Sequence, residues 1–185
     1  MTFEELAVMT ALRLDEAKIP YMLPGALAVN FYGKPRMTHD VDVVVLFTAR
    51  DAQRVRQLFD QDFFVQEESI RAAQREVSMF NIIHKETGLK VDLWMRKDDE
   101  HGREAFKRRV CVAYGPAQIR LASAEDTIIT KLEWYKMSDI DKHYSDAVGI
   151  GRIQAGKLDL AYIEDWCRRT TTLEIWERVK KEADL

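Results

Sequence analysis

Three aspartates stand in runs that otherwise read as apolar strands. Asp40 and Asp42 open "DVDVVVLF", and Asp92 sits inside "GLKVDLWM". Aspartate is a poor strand former, so their presence needs a reason. Side chains alternate along a strand, which puts Asp40 and Asp42 on one face. At ~5 Å and an effective dielectric of ~20, two carboxylates repel by ~3 kcal/mol. Asp92 at a strand centre is also costly to bury without a partner. If the two strands lie side by side, the three carboxylates converge. A hard divalent cation, Mg²⁺ or Mn²⁺, then offsets their repulsion. Such an ion neutralises phosphates and activates an incoming hydroxyl in phosphoryl and nucleotidyl transfer.

The surrounding pattern supplies the elements that must hold these acids. Residues 3–18 read as an amphipathic helix ended by Ile19-Pro20. Tyr21 to Leu23 is a short strand, Pro24-Gly25 a turn, and 26–32 a short helix broken by Gly33-Lys34-Pro35. The run 41–47 has the continuous apolar character of a strand buried on both faces. A helix over 49–59, a short strand over 63–65 and a helix over 67–75 follow. Strands at 77–84 and 89–95 flank the turn Lys85-Glu86-Thr87-Gly88. A helix over 98–107 leads to two short strands, 110–112 and 118–121, around Gly115-Pro116. Beyond Leu121 only helical patterns remain. The first starts at Ser123, a candidate N-cap, with Asp126 three residues on. Breaks fall near Ser138, Gly156 and Thr170 to Thr172. The expected organisation is an α/β core over 1–121, with a small mixed sheet flanked by helices, and an α-helical subdomain over 122–185.

Composition narrows the class further. At 185 residues with 46% hydrophobic and 32% charged content, the chain is long enough for a substantial core. A formal net charge of -3 gives no global basic field for nucleic acid. Cys111 and Cys167 are far apart, which argues against a zinc knuckle or a disulfide framework and for a cytoplasmic setting. The N-terminus has acids early and is no signal peptide. No apolar run approaches the ~20 residues of a membrane span.

The longer string "PGALAVNFYGKPRMTHDVDVVV" resembles the DNA polymerase β-like nucleotidyltransferases. It is most similar to the AbiEii-type branch, which includes toxin-like enzymes. Gly25, Ala28, Tyr32-Gly33, Arg36, Thr38, Asp40 and Asp42 match that pattern. "SAEDTIITKLEWYK" resembles a helix of the branch with an acid and a lysine, here Asp126 and Lys131. "DKHYSDAVGI" resembles its later helix, which ends in an aspartate, here Asp146. One departure is visible. The usual Gly-Gly or Gly-Ser is Gly25-Ala26, and alanine has no hydroxyl and tolerates positive φ less well than glycine.

The resemblance implies a Mg²⁺-dependent transfer of a nucleoside monophosphate from an NTP. Asp40, Asp42 and Asp92 are the expected metal ligands and catalytic acids. Gly25 and Ala26 would present N–H groups to the phosphates at a helix N-terminus, with Arg36, Thr38, Lys131 and Asp146 as further nucleotide-site candidates. The triphosphate and ion would lie between the two parts of the chain, and Lys131 would offset triphosphate charge. The acceptor would be an RNA such as a tRNA 3′ end, a protein hydroxyl or a small molecule, and an antitoxin-like partner is implied. Blander readings stand beside these. Arg36 either grips phosphate or ties its loop down, Thr38 suits loop bracing, and Lys131 and Asp146 could be surface charges. His39 is read as incidental, and His84, His101 and His143 have no metal spacing. Trp94, Trp134, Trp166 and Trp176 are read as packing residues, and the basic runs at Lys107 to Arg109 and near Arg168 as solvated faces. The rival from another class is a non-catalytic module that binds a nucleotide or a partner protein.

Overall fold

The computed structural model describes residues 1–38, 40–48 and 51–185. His39 lies outside the described residues, as do Ala49 and Arg50, where sequence starts the third helix. In chain order the elements are α1 (Phe3–Glu16), β1 (Tyr21–Met22), α2 (Gly25–Tyr32), β2 (Asp40–Val45), α3 (Ala52–Phe59), β3 (Phe63–Phe64), α4 (Glu67–Glu76), β4 (Met79–His84), β5 (Lys90–Met95), α5 (Glu100–Arg108), β6 (Val110–Tyr114), β7 (Ala117–Leu121), α6 (Ala124–Ser138), α7 (Asp141–Ile153), α8 (Leu160–Arg169) and α9 (Leu173–Ala183). They form two compact units. One comprises Met1–Pro24 and Met37–Leu121, and the other Gly25–Arg36 and Ala122–Leu185. The segment Gly25–Arg36 thus belongs with the helical tail rather than with the α/β core.

The first unit is built on a mixed five-stranded sheet in the order β1-β2-β5-β4-β3. β2 and β5 run parallel, and the other neighbours are antiparallel. A separate hairpin pairs β6 with β7. Burial along β2 alternates rather than covering both faces. Val41, Val43 and Val45 are fully buried, while Asp40, Asp42 and Val44 are half-buried. The reason is that α1 packs on β2, while α4 packs on its sheet neighbours β4 and β5. Val91, Leu93 and Ile82 are fully buried alongside the β2 valines. Full burial of such a side chain contributes about 1.5–3 kcal/mol. A one-residue slip of β2 would turn those valines out and the aspartates in. The apolar face therefore fixes the register of the acids on the other face.

The second unit packs α2 and α6 to α9 around Ile128, Ile129, Leu132, Ile150, Ile163 and Trp176, with Val29 of α2 in the same cluster. Ser123 caps α6, its Oγ accepting from the Asp126 N–H at 3.0 Å. Gly33 closes α2 where a Cβ would lie 2.9 Å from Ile150 Cγ1 and 3.1 Å from the Val29 carbonyl oxygen. That approach of α2 to α7 admits only glycine without a shift.

Candidate active site

The β2–β5 register sets Asp42 directly opposite Asp92, and Asp40 opposite Lys90. β4 adds Asn81 as the neighbour of Asp92. Directly opposed residues share a face, so Asp40, Asp42, Lys90, Asp92 and Asn81 stand on the same side of the sheet. Asp92 is 8% exposed. Its Oδ2 lies 3.2 Å from Lys90 Nζ, which also lies 3.5 Å from Asp40 Oδ1. Asp92 Oδ1 is buried and takes no hydrogen bond from any described residue. Asp42 Oδ1 accepts from the Trp94 indole N–H at 3.3 Å, so Trp94 orients an acid as well as packing. Burial pulls the Lys90 ammonium down. The hydrogen bond and charge of Asp92, then the charge of Asp40, outweigh it and leave the pKa above the ordinary lysine value.

Among the described residues no three His, Cys, Asp or Glu side chains form a ready-made metal-holding group. The register nevertheless places three hard oxygen donors on one face, with a lysine seated on two of them. Lys90 is the residue that sequence reasoning missed. Its signal was present, because Lys90 and Asp92 are two apart on a strand and must share a face. Thr38 braces the entry to β2, donating weakly from Oγ1 to the Asp40 carbonyl at 3.4 Å.

The remaining candidates lie in the helical unit. Gly25 opens α2 at φ +67°, in the left-handed region, and Ala26 does not share that conformation. The Ala26 departure therefore asks nothing unfavourable of alanine's backbone. Arg36 is held by Asn30, which bonds both its N–H (2.9 Å) and its carbonyl (3.0 Å). The Arg36 side chain donates from Nε (2.9 Å) and Nη2 (3.1 Å) to the two oxygens of Asp146. Lys131 Nζ lies 2.9 Å from Asp146 Oδ2. Lys131 and Asp146 are buried, so neither is a surface charge. Burial raises the Asp146 carboxyl, but the Arg36 hydrogen bond and the Lys131 charge outweigh it and hold the pKa below the ordinary value. His143 is lowered by burial and then by the charges of Lys131 and Lys142. Asp126 accepts from Ser123 Oγ and from the Tyr162 hydroxyl, both at 2.7 Å. The Tyr162 contact spans 36 residues and has no local signal. Trp166 and Trp176 pack in the core as expected, while Trp134 is 45% exposed against the His143 ring.

No protein-family model matches the sequence, and no curated protein matches it significantly. Solved structures do. An antigenic nucleotidyltransferase-like protein from Paracoccidioides brasiliensis aligns at TM-score 0.57 and 14% identity, over 93% of this chain and 92% of its own. The ANT(2'')-Ia structure in complex with adenylyl-2''-tobramycin aligns at 0.58 and 12% identity, over 93% and 98%. The lincosamide antibiotic adenylyltransferase LnuA, with lincomycin bound, aligns at 0.54 and 15% identity, over 83% and 98%. The fold is a nucleotidyltransferase fold. At such identities the likeness is one of architecture alone. The nucleotidyltransferase fold accounts for the mixed sheet and the helical C-terminal bundle together. Among the described residues no helix is long and apolar enough to cross a membrane.

Proposed function

We propose that this chain is a divalent-metal-dependent nucleotidyltransferase: an acceptor hydroxyl attacks the α-phosphate of an NTP, takes the nucleoside monophosphate and releases pyrophosphate. The observation that carries the reading is the Asp42–Asp92 register on one face, with Asp92 Oδ1 buried and without a hydrogen bond from any described residue. A buried carboxylate oxygen with no donor is costly, and a hard cation suits it. Asp40, Asp42 and Asp92 would hold Mg²⁺ or Mn²⁺. When bound, the ion would neutralise phosphate charge and favour the hydroxyl's ionised form. Asp92, in the driest position, is the residue we assign to accept the acceptor's proton. Trp94 keeps Asp42 in orientation through its indole N–H. Lys131 and Asp146 are assigned to brace the Arg36 loop.

The finer form of the reading is a cytoplasmic, toxin-like AbiEii enzyme with an antitoxin-like partner and an RNA, protein or small-molecule acceptor. The test is incubation with each α-labelled triphosphate, Mg²⁺ and an acceptor panel of total RNA, protein extract, tobramycin and lincomycin. Label should move to one acceptor class. Asp42→Asn should reduce that transfer by ~10²-fold or more with a near-normal melting temperature. Undiminished transfer in Asp42→Asn would refute the mechanism. A non-catalytic nucleotide- or partner-binding module is the second reading, favoured by the lysine seated on two of the acids. Nucleotide-induced stabilisation without label transfer would establish it.

A further inference from the structure

α1 carries apolar residues on two sides. Leu6, Ala7, Ala11 and Leu14 are fully buried. Val8, Met9 and Leu12 fall on the opposite side of the helix, and Leu12 is 49% exposed. A surface helix ordinarily sets polar residues opposite its buried stripe. Here that side is the floor of a groove of about 570 Å³, walled by Tyr114, Gly115 and Pro116 at the tip of the β6–β7 hairpin. A site for a small molecule encloses most of its ligand, whereas this floor is open to water at Leu12. The charges round the groove are one-sided. Arg13 is the only cation lining it among the described residues. That guanidinium is engaged elsewhere, paired with Asp62 and donating to the Leu58 carbonyl at 3.1 Å. Glu5 accepts from the Thr2 N–H at 2.8 Å. Glu4 and Glu16 are exposed and pair with no cation among the described residues. They bracket the apolar floor, about 18 Å apart along the helix. Burial, then the charge of Glu4, raises the Tyr114 pKa, so Glu4 stands near the hairpin wall as well.

We propose that this groove docks an amphipathic helix of a partner protein, with an apolar stripe for Val8, Met9 and Leu12 and a lysine or arginine for each of Glu4 and Glu16. A helix satisfies its own backbone and offers a stripe as long as the groove, so only side chains need to match. Burial of the floor supplies affinity, and the two glutamates select a basic partner. The glutamates also disfavour two other occupants. A second copy docked through the same face would set them against their own counterparts, and an anionic membrane surface would repel them. The inference stands independently of the acids on β2 and β5 and of nucleotidyl transfer.

The test uses the full-length chain and fluorescein-labelled peptides as long as α1, read by fluorescence anisotropy. The first peptide is a helix of leucine and lysine with its leucines along one side. A second has glutamate in place of lysine, and a third keeps the first composition with the leucines spread round the helix. The first should bind about tenfold or more tightly than either of the others. Leu12→Gln should weaken that binding about tenfold. Glu4→Gln combined with Glu16→Gln should weaken it too and flatten its salt dependence. Both variants alter exposed side chains, so their melting temperatures should match wild type. Failure of the first peptide to bind overturns the inference, as does equal binding of the first and third. Binding that neither variant changes lies elsewhere on the chain and overturns it as well. A dimer of the chain alone in light scattering, lost in Leu12→Gln, gives the groove to a second copy. Co-sedimentation with phosphatidylglycerol vesicles, lost in the same variant, gives it to a membrane. Either result overturns the partner helix.

Discussion

Asp146 answers two cations at once, and that sets what its loss would do. Its side chain is 5% exposed and that of Lys131 8%, so neither charge has much water to fall back on. Removing one member of a buried pair leaves the rest uncompensated and costs about 3 kcal/mol or more. Asp146→Asn should therefore lower stability by about that amount at pH 7, measured by urea unfolding. The folded-state pKa of Asp146 is lowered from 3.8. Its stabilising contribution is thus complete above that value and is lost as pH falls through the lower folded-state pKa. The gap between wild type and Asp146→Asn should be widest near neutrality and narrow below pH 3.8. A gap independent of pH would show that shape, not charge, matters there. Lys131→Ala follows the same logic. Sequence alone suggests an activity loss at constant melting temperature, whereas the buried pairing predicts a fall in melting temperature too.

At the scale of elements, most of the fold was legible. Hydrophobic period, Gly-Pro turns and the Ser123 cap place the helices and strands close to where they lie. These are local signals, carried within a few residues. The neighbourhood of β2 and β5 was expected from shared apolar character and the three acids. Side-chain partners were not legible, since Asp146 and Arg36 are 110 residues apart and only the packing of the helical unit brings them together. The two-sided burial expected for β2 failed because a run of valines does not say which face a helix will cover. Gly25 gives the element-scale prediction. Its φ of +67° opens α2 in a conformation L-residues avoid, at about 1–2 kcal/mol. Gly25→Ala should destabilise by roughly that amount, while Ala26→Ser should leave the melting temperature nearly unchanged. Equal effects at the two positions would place the strain elsewhere.

For the whole molecule, the second unit is discontinuous in sequence. Gly25–Arg36 and Ala122–Leu185 share one core, into which α2 sends Val29. A chain of residues 122–185 should melt lower than one in which residues 25–36 are joined to it, a difference read by circular dichroism. Identical melts would make α2 a passenger. The same discontinuity has a bearing on biosynthesis. α2 leaves the ribosome about ninety residues before α6, and at ordinary elongation rates that delay is about 5–20 s. Leu27, Ala28 and Val29 are buried only in the finished protein, and throughout that interval α6 and α7, against which α2 packs, are not yet made. The nascent chain thus carries a short sticky segment through that interval, and the native helical unit can close only once α6 to α9 have emerged.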